Sequence, residues 1–389
     1  MLLRVLSYFI PLAVNMLTGG VMFICSYRFA QAGCSGLVVG GAVAVWGIVY
    51  CLVNFAIRRI VRPERALFWI RAAAGCMVAA AAGFLVFPGL FTQFLWIGFA
   101  GLGAGLFCMP FQLFAKSVES GRTPGAVKAA AFYTFSWSVG FATGPLFFAR
   151  FVREGFCITL ALALAMALAV CVIARLRRAI PAVAGAGPEL PPQIVSPGEE
   201  RRRDTFARLG WLIGGVGTLA VCMIRAMWPH HGEGLGISRT HIALTTALVS
   251  YVQALTALLL YRSCRWMFLR LPVLVFSLAG AAGLLLFAFA RTTALFYPAA
   301  VIYGIYSGCI YFYFVYHSLA HPVRAGYFVS GNEVIVGVIS MVSPLAGGAL
   351  ADGFTSGAPF VFAAGAVLLA WLIQWTAVTR RGPEPGGMS

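Results

Sequence analysis

Arg225 and Glu333 lie inside stretches that are otherwise almost free of charge. An arginine so placed can pair with a carboxylate or phosphate, whose geometry matches the guanidinium fork. A carboxyl group stripped of water favours its neutral form, so Glu333 suits the uptake and release of a proton as its exposure changes. Each residue also has a structural reading. Arg225 stands three residues before Trp228-Pro229, the expected outer end of its helix, where a long arginine can snorkel to the interface. Glu333 can equally serve as a structural acid paired with a loop arginine such as Arg65 or Arg324. His317 and His321 have the i, i+4 spacing of a metal pair, and His230-His231-Gly232-Glu233 offers ligands in a loop. No third ligand converges on the first pair, so both sets read as interfacial polar residues, with no metal and no other cofactor.

The elements that must position these groups are membrane helices. The chain has 389 residues, 61% hydrophobic and only 10% charged, with a mean hydropathy of +0.90. Soluble domains carry about a quarter charged residues, so a soluble globule is excluded. Twelve apolar runs approach or exceed the roughly 20 residues that a spanning helix needs. They cover about 5–27, 36–57, 66–87, 91–115, 126–149, 155–176, 208–228, 239–261, 271–290, 294–317, 327–350 and 357–378.

The net charge of +17 would suit nucleic acid only if the basic residues gathered on a soluble face, and they stand at helix ends instead. With the N-terminus inside, 22 of the 28 Lys and Arg fall on the cytoplasmic side, five fall outside and Arg225 lies within a span. This asymmetry predicts a multi-pass protein of the inner membrane with both termini cytoplasmic. Its expected partners are the lipid bilayer and a small-molecule substrate, with protons a further candidate; a monomer suffices. Ala30-Gln31-Ala32 is a weak signal-peptidase match, but the preceding run is too long for a signal peptide and is broken by Asn15 and Arg28, so the first helix is expected to stay. The ten cysteines show no zinc-ligand spacing and read as small core residues.

Residues 181–207 interrupt the pattern with Pro181, Pro188, Pro191, Pro192 and Pro197, then Glu199-Glu200-Arg201-Arg202-Arg203-Asp204. They read as a flexible, solvated cytoplasmic linker between a bundle at 1–180 and a bundle at 208–380, with 381–389 as a tail. The halves repeat each other. Gly101-x-x-x-Gly105 and Gly140-x-x-x-Gly144-Pro145 in the first half correspond to Gly304-x-x-x-Gly308 and Ser343-Pro344-x-x-Gly347-Gly348 in the second. Small residues four apart let helix backbones approach closely, and repeats flanking a midplane site are how many secondary transporters are built.

On these residues the chain resembles the major facilitator superfamily over nearly its whole length. The matching stretches are Gly101 to Pro110, Gly140 to Pro145, and Ser343 to Asp352. The resemblance implies an all-α polytopic membrane protein of 12 transmembrane helices, arranged as two pseudo-symmetric six-helix bundles that rock about a central site. Gly140-x-x-x-Gly144-Pro145 matches the core of the family's fifth-helix motif, associated with drug and proton antiporters, although Phe148 and Ala149 replace its trailing glycines. The loop after the second helix lacks the family's aspartate, reading Asn54-Phe55-Ala56-Ile57-Arg58-Arg59, and Ile97 stands where an arginine is frequent.

Other midplane candidates for substrate binding are Asn15, Gln253, and Tyr133 with Trp137 on one face of the fifth helix. Tyr303, Tyr306 and Tyr313 form an aromatic stripe on the tenth, which serves either a ligand site or packing. Arg225 is a candidate anion anchor at the outer mouth and Glu333 a candidate ion-coupling acid in the inner half. They stand about 20 Å apart along the normal at ~1.5 Å per residue, too far to pair. The sequence therefore points to a secondary transporter of a small organic solute. The alternatives are an uncoupled facilitator and a non-transporting sensor or assembly factor on the same fold. A membrane enzyme would need clustered acids, histidines or metal ligands at one face, and none converge.

Overall fold

The computed structural model describes residues 2–57, 59–119, 125–179, 197–260, 262, 265–321 and 324–379. Twelve long helices dominate them: α1 (Leu2–Gln31), α2 (Gly36–Ile57), α3 (Ala66–Val86), α4 (Thr92–Glu119), α5 (Gly125–Leu146), α6 (Val152–Ala179), α7 (Pro197–Gly234), α8 (Arg239–Leu260), α9 (Arg270–Phe289), α10 (Thr293–Leu319), α11 (Ala325–Gly353) and α12 (Ala358–Thr379). Eleven are long and apolar enough to cross a membrane. The other, α5, packs between α1 and α8. The start of α2 meets the end of α11 and the start of α8 meets the residues that follow α5, so odd-numbered and even-numbered helices start at opposite faces, the near face and the far face respectively.

The internal repeat is visible in which helices touch. In the first half α1 packs on α5 and α6, α3 on α4 and α6, and α2 on α4; in the second α7 packs on α11 and α12, α9 on α10 and α12, and α8 on α10. Each pairing recurs six helices later. Between the halves the main contacts are α2 with α11 and α5 with α8, again exchanged by the same relation, with α1 against α7 near the pseudo-twofold axis.

Glycine sets how closely these helices approach. A Cβ added to Gly40 of α2 would overlap the Pro344 carbonyl of α11, and one on Gly348 of α11 would overlap the Gly36 carbonyl of α2. The neighbouring Gly41 has nothing within 4 Å of such an atom. Lipid tails are as apolar as leucine, so contact between helices depends on close packing more than on hydrophobic burial.

Two expectations require correction. The stretch expected to be a linker as far as residue 207 is helical from Pro197, which occupies the first helical position, where its missing N–H costs nothing. Two acids in the first turn, Glu199 and Glu200, suit the helix dipole, and Arg203 pairs with Glu199 one turn away at 2.7 Å. Arg203 also donates to the Ala320 carbonyl at 3.0 Å, and Asp204 bonds His321 at 2.9 Å and Arg324 at 3.2 Å, so the charge run is docked on the α10–α11 turn. Residues 181–196 of that linker, and the tail, lie outside the described residues.

The second correction concerns the other end of α7, which does not stop at Trp228 but runs through Pro229 to Gly234. Trp228 is fully buried against Phe287 and Phe296, and its indole N–H donates to Thr245 at 2.8 Å, so packing holds the helix through the proline. His230 to Glu233 are therefore helical and not in a loop, with His231 buried and bonded to Ser356 at 2.7 Å.

Gly40→Ala is expected to destabilise the protein by about 1–3 kcal/mol through overpacking. Its melting temperature in detergent should fall, while Gly41→Ala should match the parent. Equal melting temperatures for both variants would show that α2 and α11 do not need this approach.

Candidate functional site

Glu333 sits eight residues into α11, about 12 Å from its near-face end. Its carboxylate accepts hydrogen bonds from the Tyr50 hydroxyl of α2 and the Gln112 side-chain amide of α4. All three side chains are buried. Both donors come from the first half of the chain, so the acid is held across the boundary between the bundles. Tyr133 of α5 joins the same cluster through Gln112 and Cys108. The loop arginines expected as partners do not fill that role: Arg324 pairs with Asp204 and Glu200 instead. Neither Tyr50 nor Gln112 stood out in the sequence, since each is a neutral polar residue with no polar neighbour beside it in a largely apolar helix.

Arg225 lies nine residues before the end of α7, about 14 Å inside it, because the helix continues past Pro229. Its side chain is turned toward α5. Its guanidinium carbon lies 3.6 Å from the centre of the Phe141 ring of α5, a cation–π contact that also crosses between the bundles. Its Nη2 is buried with no hydrogen-bond partner. The ionisable groups close enough to act on it are Tyr311, Cys222 and Tyr303, none of them a carboxylate.

One face of α5 connects these two charges. Tyr133, Trp137 and Phe141, four residues apart, stand respectively at the Glu333 cluster, against Tyr311 of α10 at 4.9 Å between ring centres, and under Arg225. On α10 the face turned toward α7 and the boundary carries Tyr303, Ser307 and Tyr311. Tyr303 donates to the Gly217 carbonyl at 3.5 Å, Ser307 donates to Gln253 at 2.6 Å, and Tyr311 donates to Thr218 at 3.2 Å. Tyr306 lies beside Tyr303, with ring centres 5.8 Å apart, and packs on Gly280 of α9, while Tyr313 contacts Trp266 and His317. Of the stripe expected from Tyr303, Tyr306 and Tyr313, Tyr303 also shares a strict i, i+4 row with Ser307 and Tyr311, a signal present in the sequence.

Gln253 bridges the bundles, donating to Ser138 of α5 at 2.6 Å while accepting from Ser307. Asn15 lies at the α1–α5 contact beside Gly140 and donates to the Pro11 carbonyl of its own helix at 2.7 Å. His317 packs against Phe206 and Tyr313, and His321 bonds Asp204, so the two histidines do not share a ligand position. Among the described residues no group of three or more His, Cys, Asp or Glu gathers to hold a metal ion. A cavity of about 10 Å³ beside Met267, Arg270 and Trp375 has room for about one water and lies away from both charges.

No family model and no curated protein sequence matches the chain. Solved structures do. The human organic anion transporter MFSD10 (TETRAN) superposes with a TM-score of 0.63 at 14% identity, covering 94% of this chain and 97% of that one. The nucleoside transporter NupG superposes with a TM-score of 0.63 at 14% identity, covering 98% and 100%. The chain has the major facilitator fold. At this identity the fold is what the proteins share.

Within the major facilitator fold, the α2/α11 and α5/α8 pairs meet at the far face through helix ends. Asp352 at the end of α11 accepts from the first backbone N–H groups of α2, Gly36 at 2.6 Å and Leu37 at 2.9 Å. On the other pair, Arg239 at the start of α8 donates to the Ala149 and Arg150 carbonyls that follow α5. A carboxylate therefore meets a positive helix end and a guanidinium meets carbonyls beyond a negative one, each across the bundle boundary.

Removing one latch should loosen the far face. In a cysteine-free background, Phe141→Cys is expected to react about two- to fivefold faster with a charged maleimide when Asp352 is also changed to Ala, as a helix-end charge contact of ~0.5–1 kcal/mol would give. An unchanged labelling rate would mean that the contact does not hold this face closed.

Proposed function

We propose that the protein is a secondary transporter of a small organic solute that works by alternating access, with Glu333 as the site where a proton is bound and released. The observation that carries this reading is a buried acid held by donors from the opposite bundle. As a carboxylate, Glu333 accepts from both Tyr50 and Gln112 and ties α11 to α2 and α4 in the near half. Protonation removes much of its strength as an acceptor and, with it, the reason for those donors to stay. Proton occupancy and opening of the near half are then linked: a proton favours the open arrangement, and opening favours the proton.

The Asp352 and Arg239 contacts provide the complementary closure at the far face. The central site lies between them, with Arg225, Trp137, Tyr133 and the Tyr303 face of α10 as its walls, while Gln253 and Asn15 fix helix positions. Both termini are cytoplasmic in this reading and the membrane is the inner one, as the distribution of basic residues favours. MFSD10 carries organic anions and NupG nucleosides. Those are different chemistries, so the cargo has to be read from this chain's own residues.

Proteoliposomes enclosing a pH-sensitive dye test the coupling. Organic acids, nucleosides and amino acids are added in turn, and a transported solute should acidify or alkalinise the lumen. Glu333→Gln should abolish that proton movement while counterflow of the same solute persists. Unchanged proton flux in Glu333→Gln would remove the residue from coupling, and solute flux without any pH change would make the protein a facilitator.

A further inference from the structure

We infer that the transported solute is a small monoanion, a carboxylate on an aromatic or similarly flat apolar body, whose carboxylate binds Arg225. This deepens the transporter reading and rests on it. Arg225 is a cation inside the membrane-spanning region, and the groups near enough to compensate it are two tyrosines and a cysteine. The Phe141 ring covers one face of the guanidinium at 3.6 Å but offers no acceptor for its N–H groups. Nη2 is left buried and unbonded. An orphaned charged donor of this kind is costly unless something supplies both the opposite charge and the acceptor, and a ligand carboxylate supplies both.

The number of charges follows from the same accounting. Glu333 lies about 20 Å away with its own partners, and the groups acting on Arg225 include no Lys, Arg or His, so among the described residues the site offers one cation. A monoanion leaves no surplus charge, whereas a phosphate dianion would bring in one uncompensated charge.

The body of the solute is defined by what surrounds Arg225. Phe141, Trp137 and Tyr311 form a continuous aromatic wall, with ring centres 5.9 and 4.9 Å apart. The polar groups around that wall are already bonded to each other or to backbone: Tyr311 to Thr218, Tyr303 to Gly217, and Ser307 to Gln253 to Ser138. A polyhydroxylated solute such as a sugar or nucleoside would find few free partners, and an apolar ring would need none.

The test measures binding and transport separately. Purified protein is melted with benzoate, phenylacetate or indole-3-acetate, with their neutral amides, with phenyl phosphate and with uridine, all at millimolar concentration. At least one acid should stabilise the protein saturably, its amide should bind about tenfold more weakly or worse, and Arg225→Gln should lose the acid's effect to about the same degree. Arg225→Lys should recover part of it.

Equal binding of acid and amide, an undiminished acid effect in Arg225→Gln, tighter binding of phenyl phosphate or uridine, or no stabilisation by any of the three acids would overturn the inference. Should Arg225→Gln fail to fold, the acid and amide comparison on the unmodified protein and the Arg225→Lys variant decide it. Counterflow of the stabilising acid in proteoliposomes then addresses the other reading. Binding without flux would sink transport and leave the anion site standing, while flux of a neutral solute unaffected by Arg225→Gln would do the reverse.

Discussion

The close approach of α2 to α11 is the constraint on which the rest of this architecture depends. In a bilayer two apolar helices gain little by leaving lipid for each other, so their contact rests on backbone proximity and on polar groups placed where they can meet. Gly40 against the Pro344 carbonyl and Gly348 against the Gly36 carbonyl provide the proximity. That proximity places Tyr50 within reach of Glu333 toward one face and Asp352 on the α2 N-terminus at the other. A bulkier residue at these glycines would push α11 away and separate all of these pairs together. The sequence repeat and the polar contacts across the boundary are thus two consequences of one packing requirement.

The polar contacts between the bundles are few and specific, as the proposed alternation of access would require. Where helices stay together within a bundle, large aromatic side chains interlock, as Trp228, Phe287 and Phe296 do at the far end of α7. Across the boundary, among the described residues, the polar contacts include single hydrogen bonds, a helix cap, a carboxylate with two donors and the cation–π contacts of Arg225 with Phe141 and Arg239 with Tyr27, beside the Trp137–Tyr311 ring contact. Each of these is worth on the order of 1 kcal/mol or a little more, small enough that a bound solute or proton can shift the balance between arrangements.

Much of this was legible in the chain. The spans, the repeat, the internal placement of Arg225 and Glu333 and their separation follow from hydropathy, glycine spacing and helix rise. The ends of α7 were not legible, because local rules misread both. Pro197 can begin a helix, and Pro229 is held inside one by the burial of Trp228, a tertiary effect that no local pattern records. The phase of the α10 stripe could have been read, because Tyr303, Ser307 and Tyr311 keep a spacing of four while Tyr306 and Tyr313 do not. The partners of Glu333 could not, since Tyr50 and Gln112 are distant in sequence and unremarkable in type.

The distance between the two charges constrains how they could act together. Contacts of Gly347 with Met223 and Met227 place Arg225 level with the far-face part of α11, about fourteen residues or ~21 Å beyond Glu333. At an effective dielectric constant near 20, unit charges so far apart interact by about 1 kcal/mol or less, too little for one site to govern the other through its field. Both side chains nevertheless take their partners from the opposite bundle, Arg225 from α5 and Glu333 from α2 and α4. A change in either contact therefore biases the same relative position of the bundles. In such a design coupling is carried by the shared equilibrium of two rigid bodies, with the Tyr133, Trp137 and Phe141 face of α5 spanning the space between the sites. Solute and proton need not touch, and their sites can be far enough apart to be occupied together.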